Sequence, residues 1–454
     1  MKKILTLLLA LWMLTGCVAM AAGNQLVVGS TTAMSGAFFT DLFGSNTADM
    51  DVRALLHGYN LMSWDHETGT YQINDSVVAG MAVSRDAQNN RVYTFDLYGD
   101  LKFSDGSAIT AKDYAFSILL TASPELAKLG GQSAAVGAIL GMDAYQSGKS
   151  SVLRGVRLLS DTQMSITISK AYEPYFYEMA LFDYSPYPIS VLAPGCKVVG
   201  TEKGVGIVNA GGTGDAIFTA DLLQKTILDA ATGYMSHPSV VSGPYTLTSY
   251  DAQRGTASFA INPYYKGNED GEKPTIETIV YRTVANDEAI DLLLSGEVDL
   301  LNKMVAADTI SKGIQSTANQ PLSVANYPRS GLSMISFSCE RQTVSSKAVR
   351  QAIANCFDRD ALVKAYTGNF GLKANGYFGI GQWMYQLAAG TIQPPVVDLP
   401  ANATAKETAA YEKTVAPWDA LSLDKLKDYP LDLYQAAKLL DQDEWRLGKD
   451  GIRA

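Results

Sequence analysis

The sequence predicts an α/β fold of at least two domains, and three observations carry that expectation. The 454 residues are 47% hydrophobic and 18% charged. That is the balance of a globular chain, at a length where one core gives way to two or more. The stretch 92–117 reads as strand, turn and helix in immediate succession. Tyr93, Phe95 and Leu97 alternate with Val92, Thr94 and Asp96, a period of two. A short strand at 101–103 follows, then a Ser104-Asp105-Gly106-Ser107 turn. Thr110 is placed to cap a helix, with Asp113 three residues on and Tyr114, Ile118 and Leu119 as its apolar stripe. Near the start, the apolar run 25–29 is followed by a Gly-containing loop and a helical pattern over 51–60. Strands alternating with helices point to α/β architecture.

Bulk properties argue against several functions. A net charge of −10 is wrong for nucleic acid, whose phosphates need a basic surface. Three histidines make a His-based metal or proton-transfer site a poor fit. No Gly-x-Ser-x-Gly or His-Glu-x-x-His is present, and His57, His66 and His237 belong to no paired motif, so no nucleophile–base constellation is expected. Gly148-Lys149-Ser150 ends like a phosphate loop, but Asp143 stands where the loop needs glycine and 155–158 reads as a strand.

At the N-terminus, Lys2-Lys3 precedes an apolar run at 4–14 that is too short to span a membrane comfortably. Leu14-Thr15-Gly16-Cys17 then matches the lipobox of bacterial lipoproteins. We expect a signal peptide at 1–16, lipidation of Cys17 and a tether at 17–24. Cleavage after Ala19-Met20-Ala21 is the alternative. The other cysteines, Cys196, Cys339 and Cys356, are expected as small buried hydrophobes, with one disulfide pair as the alternative.

Ligands of open α/β sheets sit beyond the carboxyl ends of strands, which makes Ser35 and Gly36, after the first strand, candidate binding residues. Residues 63–70 read as a turn, 164–169 as a strand, and 173–176 as a Pro-initiated helix. The glycine-rich stretch 199–213 reads as a surface loop and not a cofactor cradle. Gly243-Pro244 sets a turn before strands at 245–250 and 258–261. An amphipathic helix is expected over 286–301 with Gly296 as C-cap, a strand start at 298–300, a strand at 332–337 and a helix over 347–366. The span 367–430 looks irregular and holds Trp383 and Tyr385, two aromatics that could stack on a ligand or pack under a loop. A helix at 434–440 closes the chain.

Several of these runs, in order, resemble the extracytoplasmic solute-binding proteins of the oligopeptide/dipeptide family, family 5. They are Lys102-Phe103-Ser104-Asp105-Gly106 with 109–117, Gly243-Pro244-Tyr245, Asn262-Pro263-Tyr264-Tyr265-Lys266-Gly267, Val349-Arg350-Gln351-Ala352-Ile353, and the late Tyr434-x-x-Ala437-Lys438 run. Tyr98 departs from the pattern, which usually has a basic residue there. The resemblance implies a two-lobed periplasmic-binding-protein-like fold, with lobe one at 25–280, a small β-rich subdomain inserted at about 71–170, and lobe two at 281–454. The family's pattern continues past 450–454, so lobe two is expected to lack its last part. The implied function is a membrane-tethered receptor that captures peptides or similar solutes and passes them to the permease subunits of an ABC importer, as a monomer on the outer face of the cytoplasmic membrane or in the periplasm. No enzyme activity, cofactor or metal is implied. Ser242, Gly243, Tyr245, Trp383 and Tyr385 join Ser35 and Gly36 as candidate contacts. A peptide-signal receptor without a transport role, and a receptor for an oligosaccharide or another non-peptide solute, are the alternatives.

Overall fold

The computed structural model describes residues 24–65, 70–132, 137–173, 178–327, 331–368, 370–392 and 403–453. The expected signal peptide 1–16, Cys17 and all of the tether but Asn24 lie outside the described residues, as does most of the expected helix start at 173–176. The chain divides into two compact units, with the boundary between Lys303 and Met304.

In chain order the first unit holds β1 (Gln25–Ser30), α1 (Thr47–Leu56), β2 (Met62–Asp65), β3 (Thr70–Ile73), β4 (Val78–Arg85), β5 (Arg91–Leu97), α2 (Ala111–Thr121), β6 (Val156–Leu158), β7 (Gln163–Ile168), β8 (Cys196–Thr201), β9 (Gly204–Asn209), β10 (Tyr245–Asp251), β11 (Thr256–Ile261), β12 (Thr278–Thr283), α3 (Ala289–Ser295) and β13 (Leu300–Asn302). Its main sheet runs β10-β11-β12-β1-β13. β1 lies between two parallel neighbours, which is why it reads as a nearly continuous apolar run. It sinks into the core along its length, so that Val28, Gly29 and Ser30 are buried. Ser30 is level with Thr283 of β12 and Asn302 of β13, and the three parallel strands therefore end together. The sequence expectation put the domain boundary at 280–281, but those residues lie inside β12, hydrogen-bonded to β1.

A separate antiparallel sheet, β4-β5-β7-β6, forms between residues 78 and 168. Tyr93, Phe95 and Leu97 of β5 face inwards as their alternation requires. They share a core with Tyr114, Ile118 and Leu119 of α2 and Met164 and Ile166 of β7. Full burial of each such side chain stabilises by about 1.5–3 kcal/mol. Thr110 caps α2 as expected: its Oγ1 accepts from Lys112 N, while Asp113 Oδ2 accepts from Thr110 N at 2.8 Å.

Several local readings of the first unit change: the turn expected at 63–70 starts later, because 63–65 belong to β2 and pair with β3, and the helix expected over 286–301 is the shorter α3. The helix expected at 51–60 begins four residues earlier, because Asn46 and Asp49 form a capping box at its start. It ends by Leu56, before Tyr59, whose φ is 56°. The 101–103 strand is reduced to one bridge, between Lys102 and Ala108. The glycine-rich stretch is no open loop but the hairpin β8–β9. Its Gly204 has a φ of 139°, and a Cβ there would lie 2.2 Å from the carbonyl oxygen of Leu153. Glycine is what lets the two backbones meet at that point.

The second unit is built from α4 (Ala307–Ser316), α5 (Lys347–Ala354), α6 (Arg359–Thr367), α7 (Trp383–Ala388), α8 (Ala405–Asp419) and α9 (Leu433–Gln442), with a short turn of helix before α5. α5 packs on α9 through buried Val349, Ala352 and Ala436. The single helix expected over 347–366 is two, because Asp358 starts a new one by accepting from Ala361 N at 2.9 Å. The span 367–430 is not wholly irregular, since it contains α7 and α8. The strand expected at 332–337 has no ladder partner among the described residues, and Met334 and Ile335 stand 56% and 59% exposed. Of the three cysteines expected to be buried, Cys196 is, whereas Cys339 and Cys356 are exposed; all three are free thiols.

His57, just past α1, packs among the rings of Phe39, Tyr187 and Tyr234 and donates from Nε2 to the Phe38 carbonyl at 2.9 Å. Burial lowers its pKa from 6.5 to about 4. The folded state therefore holds His57 neutral, and the stability this confers is complete above pH 6.5 and lost as pH falls towards 4. Asp113 acts oppositely: burial pushes it up to about 6, so its protonation favours folding below 3.8 and that gain fades as pH rises towards 6. Thermal melts between pH 7 and 4.5 should show a smaller acid-side loss in H57Q than in the wild type. Parallel curves would place the acid sensitivity elsewhere.

Candidate ligand-binding site

The residues beyond the carboxyl ends of β1, β12 and β13 are held by one helix. α1 presents three polar side chains to this edge: Asp49, Asp51 and Arg53. Asp49 is fully buried. Its Oδ1 accepts from Ser35 N at 2.9 Å and Gly36 N at 3.2 Å, and its Oδ2 from Ser35 Oγ at 2.6 Å and Asn46 N at 3.3 Å. One carboxylate thus satisfies two amides of the loop after β1 and one at the helix cap. Arg53 Nη1 donates to the Ala37 carbonyl at 2.7 Å and to Ser45 Oγ at 2.8 Å, fixing the same loop further along.

Asp51 serves the strand ends. Its Oδ2 accepts from Tyr281 Oη at 2.9 Å and Asn302 Nδ2 at 2.7 Å, and its Oδ1 takes the ammonium of Lys303. Lys303 has a φ of 56°, a left-handed conformation uncommon outside glycine. The ion pair and the conformation together set the last residue of the first unit.

Ser35 and Gly36 line a cavity of about 300 Å³, together with Phe43, Asp229, Met235 and Ser236. The loop from β1 forms one wall and the turn at 228–236 the other. Phe38 N donates to the Met235 carbonyl at 2.9 Å and joins the two walls. Gly36 has a φ of 86°, and a Cβ there would lie 3.3 Å from the Tyr250 ring and 3.4 Å from Ser236. The wall is thus built on a glycine.

The other candidates are placed differently. Ser242 is 1% exposed, and its Oγ accepts from Gly58 N and donates to Gly58 O. Gly243 donates to the Leu56 carbonyl at 2.8 Å, and a Cβ on it would lie 2.5 Å from that residue's carbonyl carbon. Tyr245 is buried and donates to the Ile276 carbonyl at 2.9 Å. These three polar groups are spent inside the first unit: Ser242 and Gly243 tie the end of α1 to the chain entering β10, and Tyr245 ties β10 to the approach to β12. Trp383 and Tyr385 stand on α7, in the second unit, both half-buried. Two positions apart on a helix, they project from different sides. Sequence reasoning missed Asp49, although Asn46-x-x-Asp49 has the spacing of a capping box. It missed Asp229 and Ser236, which no local pattern ties to residue 35.

The profile of the bacterial extracellular solute-binding proteins, family 5, matches residues 76–454. The chain belongs to that family. Its curated relatives include the oligopeptide-binding protein OppA of Lactococcus lactis subsp. lactis (strain IL1403), 24% identical over 82% of this chain and 52% of the relative. The periplasmic oligopeptide-binding protein OppA of Escherichia coli (strain K12) is 24% identical over 66% of this chain and 48% of its own. The chain thus spans about half the length of the curated relatives it matches. Among solved structures, lactococcal OppA complexed with an endogenous peptide in the closed conformation superposes with a TM-score of 0.59 at 19% identity, over 95% of this chain and 70% of that one. NikZ from Campylobacter jejuni in complex with Ni(L-His) gives 0.57 at 14% identity, over 95% and 65%. The α/β fold is the one these binding proteins share. No helix among the described residues is long and apolar enough to cross a membrane.

Removing the Asp49 carboxylate leaves the buried Gly36 amide and the partly buried amides of Ser35 and Asn46 without their acceptor. D49A is expected to lower unfolding stability by about 2–4 kcal/mol, as for other buried networks cut on one side. Urea unfolding followed by far-UV circular dichroism measures it, and an effect below about 0.5 kcal/mol, the level of an ordinary surface change, would show that the loop does not depend on this group.

Proposed function

We propose that this chain captures peptides, or small solutes of similar chemistry, outside the cytoplasm and hands them to the permease subunits of an ABC importer. The observation that carries this reading is a ready-formed cavity beyond the carboxyl ends of the parallel strands, in a chain of the family 5 solute-binding proteins. The oligopeptide-binding names of its curated relatives support peptides as the ligand class. A receptor of this kind performs no chemistry. It works by differential affinity, since a ligand favours whichever conformation it contacts best. A micromolar ligand would need about 8 kcal/mol net. Ser35 and Gly36 belong to the proposed contact surface. Ser242 and Gly243 act behind it, by holding the end of α1 in place, and Tyr245 by bonding the Ile276 carbonyl within the main sheet region. Trp383 and Tyr385 remain proposed contacts of the second unit. The domain reading is kept in modified form, with the first unit carried on to Lys303. We further propose that Cys17 is the lipidated residue that tethers a monomeric receptor to the membrane.

Two measurements test this reading. Native mass spectrometry of the purified protein, before and after mild denaturation, should release masses that resolve into short peptides. An empty protein with no thermal shift against a peptide panel would overturn peptide capture, and a shift with oligosaccharides alone would replace the ligand class. C17S is expected to move the protein from the membrane fraction to the soluble fraction in its native host. Unchanged membrane retention would refute the tether.

A further inference from the structure

We infer that the cavity beside Ser35 and Gly36 is a side-chain pocket that prefers a long cationic group, an ammonium or guanidinium on an aliphatic stem. The inference rests on the capture reading and adds a specificity to it.

The lining is amphipathic in one particular way. Phe43, Leu228 and Met235 give it apolar wall, and Asp229 is the single ionisable side chain among the described residues that line it, with Asp49, Arg53 and His237 bonded to lining residues from behind. Ser35 and Ser236 supply the remaining polar side chains. An apolar wall with one carboxylate at its rim complements a side chain that buries its methylenes and keeps its charged tip near water. About 300 Å³ sits at the small end of ligand sites, and suits one large side chain better than a whole oligopeptide.

Asp229 is held in position. Its Oδ1 accepts from Ala231 N at 3.0 Å, Thr232 N at 2.9 Å and Thr232 Oγ1 at 2.9 Å. Its Oδ2 accepts nothing among the described residues, which leaves one oxygen for an incoming cation. The bonds from Thr232 and Ala231 hold this carboxyl below the usual carboxylate range. Gly233 N donates to the Asp229 carbonyl at 2.8 Å and closes the turn beneath. Both walls are thus set by internal hydrogen bonds, through Asp49 on one side and Asp229 on the other, and little ordering is left for the ligand to impose.

The test compares two tripeptides, Ala-Lys-Ala and Ala-norleucine-Ala, whose middle side chains share the same four-carbon stem and differ by lysine's terminal ammonium. Isothermal titration should give the wild type an about two- to fivefold preference for the lysine peptide, the range of an exposed ion pair. The preference should shrink as sodium chloride is raised. D229N keeps an Oδ1 acceptor for the turn and removes the charge, so it should bind both peptides alike, with the far-UV circular dichroism of the folded protein retained. Equal affinity in the wild type, or a preference that survives D229N, would overturn the cation pocket while leaving peptide capture standing. If the wild type binds neither tripeptide nor a mixed pool of longer peptides, capture itself fails and this pocket with it.

Discussion

A buried carboxylate has to be surrounded by donors, and here that requirement organises the candidate site. Asp49 lies wholly out of water and takes four hydrogen bonds, from Ser35, Gly36 and Asn46. The amides of Ser35 and Gly36 lie just past the end of β1, where the ladder no longer supplies acceptors. Left unpaired, the buried Gly36 amide would cost about 1–3 kcal/mol, and the partly buried Ser35 amide less. One side chain meets both needs, so the register of α1 against the end of β1 has little freedom. Arg53, one helical turn further, ties down Ala37 and Ser45 of the same loop.

The loop's shape follows from that anchor, and the cavity follows from the loop. The opposite wall is a turn capped by Asp229 and joined to the loop through Phe38 and Met235. The Gly243 backbone, pressed against α1, fixes the helix from behind. For a binding protein this matters more than the identity of any one contact, because a preformed pocket spends less of the ligand's interaction energy on ordering itself.

The sequence was most legible where structure is local. Alternation placed β5 and its inward aromatics, and the Thr110–Asp113 spacing placed the start of α2. It was less legible where a neighbour decides. The glycines of 199–213 read as looseness, yet they form a hairpin because another backbone passes within reach of Gly204. The apolar run 332–337 has the composition of a strand, but a strand is defined by partners, and none is hydrogen-bonded to it among the described residues. Of the candidate contacts, Ser35 and Gly36 do line a cavity, as the position of a loop after a parallel strand suggests. Ser242, Gly243 and Tyr245 stood out in the sequence for a different reason: that motif is where a strand and a helix touch backbone to backbone.

By itself the sequence determined the class of fold and the order of most elements, because periodicity, capping and turn residues act within a few positions of one another, and the ordered run of motifs carried the resemblance to the family. Tertiary structure alone decided which polar groups are consumed and which remain for a ligand. Asp49 and Asp51 are two residues apart on one helix, yet the first is buried under the loop of β1 while the second holds the ends of β12 and β13. Asp229 meets Ser35 around one cavity across nearly two hundred residues of chain. Hydrogen-bond satisfaction and burial depend on what lies nearby in space, and that proximity is created only when the sheet assembles.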